Sequence, residues 1–215
     1  MNILVIGSTG RLGTMFAAVA LNQGHQLTAF ARKPETFPFS HENLRLVKGD
    51  VLEPAGIEAA VQGMDVVVSA VGIRQFRGTI TLLSSAIKNI ITVMEAHGPR
   101  RLLTITGAGI LQENPKQLIM ESLSFPPNLQ NISMDHRRVY EALEASSLDW
   151  TIVAPAFMHR REKAGQYRVR DSYYPKSAQN EVSVEEVADF MMSEIGHGQF
   201  IGKRVGIASA LAPED

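Results

Sequence analysis

The chain has 215 residues, 45% of them hydrophobic and 20% charged, which suits one soluble globular domain over 1–215 with a sizeable core. Its formal net charge of −1 argues against a nucleic-acid coat or a polybasic membrane binder. The lack of cysteine excludes disulfides, thiolate nucleophiles and cysteine-based metal sites, and no metal site is expected.

The first segment, "NILVIG" (Asn2 to Gly7), is a continuous apolar run, as in a strand buried on both faces of a parallel sheet. It begins without a basic leader, and no apolar run nears the ~20 residues that span a bilayer. A cytoplasmic location with no membrane partner is therefore expected. From Arg11 to Gly24 the period changes: Leu12, Phe16, Val19 and Ala20 share one helical face, and Gly24 stops the helix. "QLTAFA" (Gln26 to Ala31) and "LRLVKGD" (Leu44 to Asp50) are the next strands, and Pro54 opens a short helix to Gly63. "MDVVVSAVG" (Met64 to Gly72) is the strongest strand pattern. A long helix from about Thr79 to His97 and the strand "RLLTITG" (Arg101 to Gly107) follow. A helix over roughly Ser133 to Ser146 leads into "DWTIVAP" (Asp149 to Pro155). Strands separated by helices imply right-handed crossovers. The expected fold is α/β, a doubly wound, Rossmann-like parallel sheet.

The last third differs. "GQYRVR" (Gly165 to Arg170) has the alternation of a strand, and "SVEE" (Ser183 to Glu186) is a capping-box pattern opening an amphipathic helix. "KRVGIA" (Lys203 to Ala208) is a final strand. The stretch around 156–182 is expected to be a small substrate-side elaboration over the sheet's carboxyl end, where open α/β folds bind ligands.

Chemistry concentrates first in "VIGSTGRLG" (Val5 to Gly13). Gly7 permits a tight turn off the strand, Gly10 a close backbone approach to a pyrophosphate, and Gly13 close packing of the following helix. That helix presents free N–H groups and partial positive charge to phosphates. The turn Gly7, Ser8, Thr9, Gly10, Arg11, Leu12 and Gly13 is thus expected to be a dinucleotide cradle, the alternative being a tight βα turn without a ligand. An acid at the end of the second strand would hold a ribose 2′-hydroxyl, yet Arg32 and Lys33 occupy the place, and Glu35 lies beyond Pro34. Two cations, with Arg11 as a third, suit the 2′-phosphate of NADPH, with NADH the alternative. Asp50 is placed to accept from the adenine amino group while Val51 packs on the ring; the competing role for Asp50 is capping the helix at Pro54. Ala70, Val71 and Gly72 lie where ribose and pyrophosphate pass, and Thr106 and Pro155 end later strands facing the same site.

The G-x-x-G-x-x-G spacing resembles the extended and atypical branches of the short-chain dehydrogenase/reductase superfamily. Most members carry Tyr-x-x-x-Lys on a helix. Here the corresponding helix, "NISMDHRRVYEALEASSLDWTIVAPA", puts His136 at the lysine place and Ile132 four residues earlier; Tyr140 lies on the wrong side. The sequence is similar to the atypical family with NADPH-dependent flavin reductase and biliverdin-IXβ reductase activity, and to bacterial NADH-flavin reductases. "IGSTGRLG", "KGDVLEP", "MEAHGPRRLLTITGAG", "DHRRVYEALEASSLDWTIVAP", "GQYRV" and "VSVEEVADFM" carry the resemblance, in the family's order. It implies hydride transfer from NADPH to a flavin, quinone or similar conjugated acceptor, bound as a substrate and not as a resident group. Such transfer needs no Tyr-Lys pair, because a flavin takes hydride at a ring nitrogen and its proton from water.

Two side chains are candidates for a catalytic part. Thr106 is placed to hydrogen-bond the carboxamide or the acceptor, although the relatives' serine aligns with Gly107. His136 would donate a proton or orient the acceptor, against the alternative of a structural histidine. Phe157, Met158 and His159 would edge the acceptor pocket, core packing explaining the first two equally well. "GIRQFRG" (Gly72 to Gly78) would form a flap bringing Arg74 or Arg77 to a substrate anion, and "MHRREK" (Met158 to Lys163) would attract the phosphate of FMN, unless both are solvated loops. The rival functions are an NADP(H)-sensing regulator without turnover and a sugar-nucleotide epimerase, which normally needs the missing tyrosine. Monomer and homodimer both remain open.

Overall fold

A computed structural model describes residues 1–73, 78–159 and 166–211. The chain opens with β1 (Asn2–Ile6), α1 (Arg11–Asn22), β2 (Gln26–Ala31), β3 (Leu44–Lys48), α2 (Pro54–Val61) and β4 (Val66–Ser69). Then come α3 (Leu82–His97), β5 (Arg101–Ile105), the short hairpin β6 (Gln112–Asn114) and β7 (Gln117–Leu118), α4 (Gln130–Glu144) and β8 (Asp149–Pro155). The chain closes with β9 (Phe157–His159), β10 (Tyr167–Asp171), β11 (Glu181–Ser183), α5 (Val184–His197) and β12 (Lys203–Ser209).

Eight strands form one sheet in the order β10-β12-β8-β5-β4-β1-β2-β3. Every neighbouring pair is parallel except β10 with β12. The chain winds outward from β1 to β3, then returns to β4 on the other side of β1. The order therefore reverses between β1 and β4, which is the switch point of a doubly wound, Rossmann-like sheet. Alternation within β1 divides the core. Ile3 and Val5 pack with Phe16, Ala17 and Ala20 of α1 and Val187 and Met191 of α5. Leu4 and Ile6 face the opposite layer, with Ile57 of α2, Ile87 and Ile90 of α3 and Val139 and Leu143 of α4. Strands buried on both faces explain the continuous apolar runs.

Several element ends differ from the sequence-based expectation. The strong "MDVVVSAVG" pattern yields a strand only over Val66–Ser69, and β5 stops at Ile105. Helix α3 starts at Leu82 and not Thr79, while α4 starts early, at Gln130, led in by a 3-10 turn over Pro127–Leu129. The stretch 156–182 divides. Strand β9 continues from the carboxyl end of β8 and pairs with β11, whereas β10 joins the main sheet as its antiparallel edge. The capping box forms: Glu186 N–H donates to Ser183 Oγ at 3.0 Å, and Ser183 N–H donates to Glu186 Oε2 at 2.9 Å. Glu186 is fully buried, and Ser209 Oγ at 2.7 Å adds a bond from β12. Among the described residues no helix is long and apolar enough to cross a membrane, and no cluster of three acidic or histidine side chains is placed to hold a metal ion.

Candidate functional site

The glycine turn sits at the switch point. Gly7 has φ +80, and a Cβ there would lie 2.8 Å from Ala70 O, so the ends of β1 and β4 nearly touch. At Gly13 a Cβ would fall 2.4 Å from Gly7 O and 2.8 Å from Ser8 Cα. The close packing that Gly13 permits is therefore of α1 on the turn's own backbone, and only through it on the sheet. Gly10 is the N-cap of α1; its N–H is spent inside the turn on Gly7 O at 3.0 Å. No side chain caps this helix and no acid stands in its first turn. Its positive end is thus left to whatever anion approaches. The side chains of Ser8 and Leu12 are buried, and Ser8 Oγ donates to Phe30 O at 3.2 Å. These two residues offer a ligand backbone only. Thr9 and Arg11 are exposed. A cleft of about 670 Å³ opens beside them, lined also by Gly10, by Met15 and Ala18 on α1, and by Phe39 and Val184.

The end of β2 is tied to this turn, since Gly7 N–H also donates to Phe30 O at 3.1 Å. Arg32 and Lys33 follow at once, both exposed and without an ion-pair partner among the described residues. Glu35 lies in a separate 3-10 turn, Pro34–Thr36. Two cations with no ion-pair partner among the described residues therefore follow the strand whose end is bonded to the glycine turn. Asp50 does not cap α2: its Oδ1 accepts from Leu52 N–H at 3.0 Å in a local turn, and the N-cap position belongs to Glu53. Val51 is partly buried against the α2–α3 layer, and its carbonyl accepts from Asn89 Nδ2 at 3.0 Å. Asn89, on α3, holds this loop, and no local pattern in the sequence marks it out. Ala70 is buried, Val71 half-buried and Gly72 exposed, in line past β4.

On the other side of the switch point, Thr106 just past β5 is buried, with its N–H on Val153 O at 2.9 Å. Its Oγ1 is enclosed and has no hydrogen-bond partner among the described residues. An orphaned hydroxyl at a strand end is a costly feature unless a ligand meets it. Gly107 N–H donates to His136 Nδ1 at 3.2 Å. Burial pushes the His136 pKa down to about 4, against a weaker upward pull from Asp135. The ring is neutral at pH 7, and since Nδ1 accepts, the proton is assigned to Nε2. This state suits orienting a neighbour better than acting as an acid. Asp135 is fully buried and accepts from the start of α3: Leu83 N–H at 2.9 Å, Ser84 N–H at 3.4 Å and Ser84 Oγ at 2.5 Å. Tyr140 stacks under the Arg204 guanidinium at 4.2 Å and meets Trp150 edge-on at 6.1 Å, so its role is packing.

Pro155 is buried at the end of β8. Phe157 is 75% exposed, so core packing does not explain it; Met158 is the one of the pair that packs on the core. His159 Nε2 lies 3.9 Å from Glu181 Oε1. Arg74 and Arg77, and residues 160–163 of the second basic cluster, lie outside the described residues.

A family model for NAD(P)H-binding proteins matches residues 7–197. The chain belongs to this NAD(P)H-binding family. Its members' cofactor fits the residues present: glycines where a Cβ would strike backbone and, among the described residues, a helix end without a side-chain cap, two cations without an ion-pair partner and an enclosed hydroxyl without a hydrogen bond. The chain is similar to YwnB of Bacillus subtilis, 24% identical over 216 residues, covering 97% of this chain and 99% of that one. It is similar to a candidate epimerase from Bacteroides thetaiotaomicron, with 26% identity, 99% of both chains covered and a TM-score of 0.85. It also shares its fold with SP1627, a candidate NADH-flavin reductase from Streptococcus pneumoniae, at 22% identity, coverage of 97% and 99%, and a TM-score of 0.83. The NAD(P)H-binding family and the atypical short-chain reductase pattern read from the sequence agree.

Proposed function

We propose that the protein is an NADPH-dependent reductase that passes hydride to a flavin or similar conjugated acceptor, which binds and leaves as a substrate. One observation carries this reading. A strand–glycine turn–helix unit, followed past β2 by Arg32 and Lys33 with no ion-pair partner among the described residues, coincides with a helix α4 that offers Ile132 and a neutral His136 where a tyrosine–lysine pair would stand. NADPH, when bound, supplies the hydride. The glycine turn and the positive end of α1 would hold its pyrophosphate, and Arg32, Lys33 and Arg11 its 2′-phosphate. Asp50, Val51, Ala70, Val71 and Gly72 would line the adenine and ribose path. Thr106 Oγ1 would give or take a hydrogen bond at the carboxamide or the acceptor, and His136 would orient its neighbour through Nε2–H. A flavin acceptor would gain hydride on a ring nitrogen and a proton from water, so charge and protons would balance with no side-chain acid.

The test follows NADPH absorbance in mixtures of the purified protein with FMN, riboflavin or a quinone. Oxidation that depends on both protein and acceptor supports the reading. Tight NADPH binding with no oxidation by any acceptor would favour an NADP(H)-sensing regulator instead.

A further inference from the structure

Helix α4 carries two adjacent side chains that reach different parts of the site. His136 accepts from Gly107 N–H at the end of β5, at 3.2 Å. Asp135 reaches the other way, to the crossover that leads from β4 into α3. That helix needs an outside cap, because its own N-cap residue, Thr81, provides no side-chain bond. The Asp135 carboxylate supplies one: Oδ2 takes the N–H groups of Leu83 and Ser84, while Oδ1 takes Ser84 Oγ. Arg138 completes the clamp, its Nη1 lying 3.1 Å from Ile80 O and 3.4 Å from Asp135 Oδ1. A buried carboxylate at the positive end of a helix, with four donors around it, is a strong and directional joint. Removing it strands the Leu83 and Ser84 donors in a dry place.

We propose that Asp135 is a positioning residue for the reductase site. By fastening α4 to the start of α3, it sets the place of His136, and through the Gly107 bond it fixes the turn that carries Thr106. The start of α3 and the turn past β5 are thus linked through two adjacent side chains of α4. The proposal rests on the reductase reading for its kinetic consequence, but its structural part does not.

The experiment compares Asp135→Ala, Asp135→Asn and Ser84→Ala with the wild type, each checked for folding by circular dichroism. Nitrogen-15 NMR of the histidine rings reports whether His136 Nδ1 still accepts from Gly107. In Asp135→Ala the His136 signal is expected to move toward a mixture of tautomers, and kcat with NADPH and FMN to fall about 10-fold, with the NADPH Kd little changed. Asp135→Asn keeps an oxygen for the Leu83 and Ser84 amides and is expected to restore the His136 signal and most of kcat. Should Asp135→Ala fail to fold, Ser84→Ala removes only the hydroxyl contact and is expected to give a smaller change in the same direction. An unaltered His136 signal in every variant that folds would overturn the proposal. A wild type that shows the NMR changes on mutation but never oxidises NADPH would instead refute the reductase reading and leave the joint standing.

Discussion

Lowering the pH should expose the neutral, enclosed state of His136. Its folded pKa stands at about 4, against 6.5 for the free side chain, with burial the main cause. A depressed pKa means that the unfolded chain takes up the proton first. The stability tied to neutral His136 is therefore complete above pH 6.5 and is lost as pH falls toward 4. Linkage gives about 2 kcal/mol lost by pH 5 and about 3 kcal/mol by pH 4, relative to a chain without this group. The assay is urea unfolding of the wild type and His136→Asn at pH 7.5, 6, 5 and 4. Asparagine offers an oxygen near the place of Nδ1, so the Gly107 bond has a substitute acceptor. Other titrating groups act on both proteins and cancel in the difference. The wild type should lose its advantage over the variant steadily below pH 6.5. Two stability curves that run parallel down to pH 4 would show that folding does not lower the His136 pKa, and the account of a ring held neutral by burial would fail.

Two more changes probe the frame around the site. Gly13→Ala puts a methyl group within 2.4 Å of Gly7 O, where neither partner is a flexible side chain, and should cost about 2 kcal/mol in urea unfolding while weakening NADPH binding. A stability within about 0.5 kcal/mol of wild type, the size of an ordinary surface change, would mean that α1 does not ride on the turn this closely. Glu194→Gln disturbs the buried pair with Arg101 at the amino end of β5, where Arg101 Nη2 lies 2.8 Å from Glu194 Oε1. It should cost about 3 kcal/mol, since the Arg101 guanidinium, whose pKa burial already lowers, would keep its enclosure without a full charge partner. NADPH affinity of the folded variant should stay unchanged, because Arg101 stands at the opposite end of the strand from Thr106. A selective loss of affinity without loss of stability would contradict that separation.

Much of the fold is legible because strands buried on both faces leave unbroken apolar runs, and β2 and β8 begin and end where those runs do. The pair β9–β11 is not legible: three residues per strand are too few to show a period. The same division holds in the site. A glycine turn is local, so Gly7 and Gly13 can be read from spacing, and Arg32 and Lys33 from their distance past the turn. Asp135 cannot. Its partners Leu83 and Ser84 lie more than fifty residues away, and an aspartate on an amphipathic helix reads as solvated surface. Asn89 escapes notice for the same reason. Asp50 shows the converse. An acid shortly before a proline-started helix suggests a cap, yet a nearer amide, that of Leu52, takes the carboxylate first. At Glu186 the capping role is local and readable, whereas its full burial depends on Ser209 from the last strand.

On the proposed function, the amino-terminal crossover holds a nicotinamide dinucleotide whose 2′-phosphate meets Arg32 and Lys33. Titration calorimetry of the wild type and of the Arg32→Ala/Lys33→Ala variant, with NADPH and with NADH, tests it most directly. The wild type should bind NADPH more tightly than NADH. Removing both cations takes away two charge-assisted hydrogen bonds to the phosphate, and should weaken NADPH about 100-fold and NADH only slightly. No heat from either nucleotide, or an equal loss for both, would contradict the assignment.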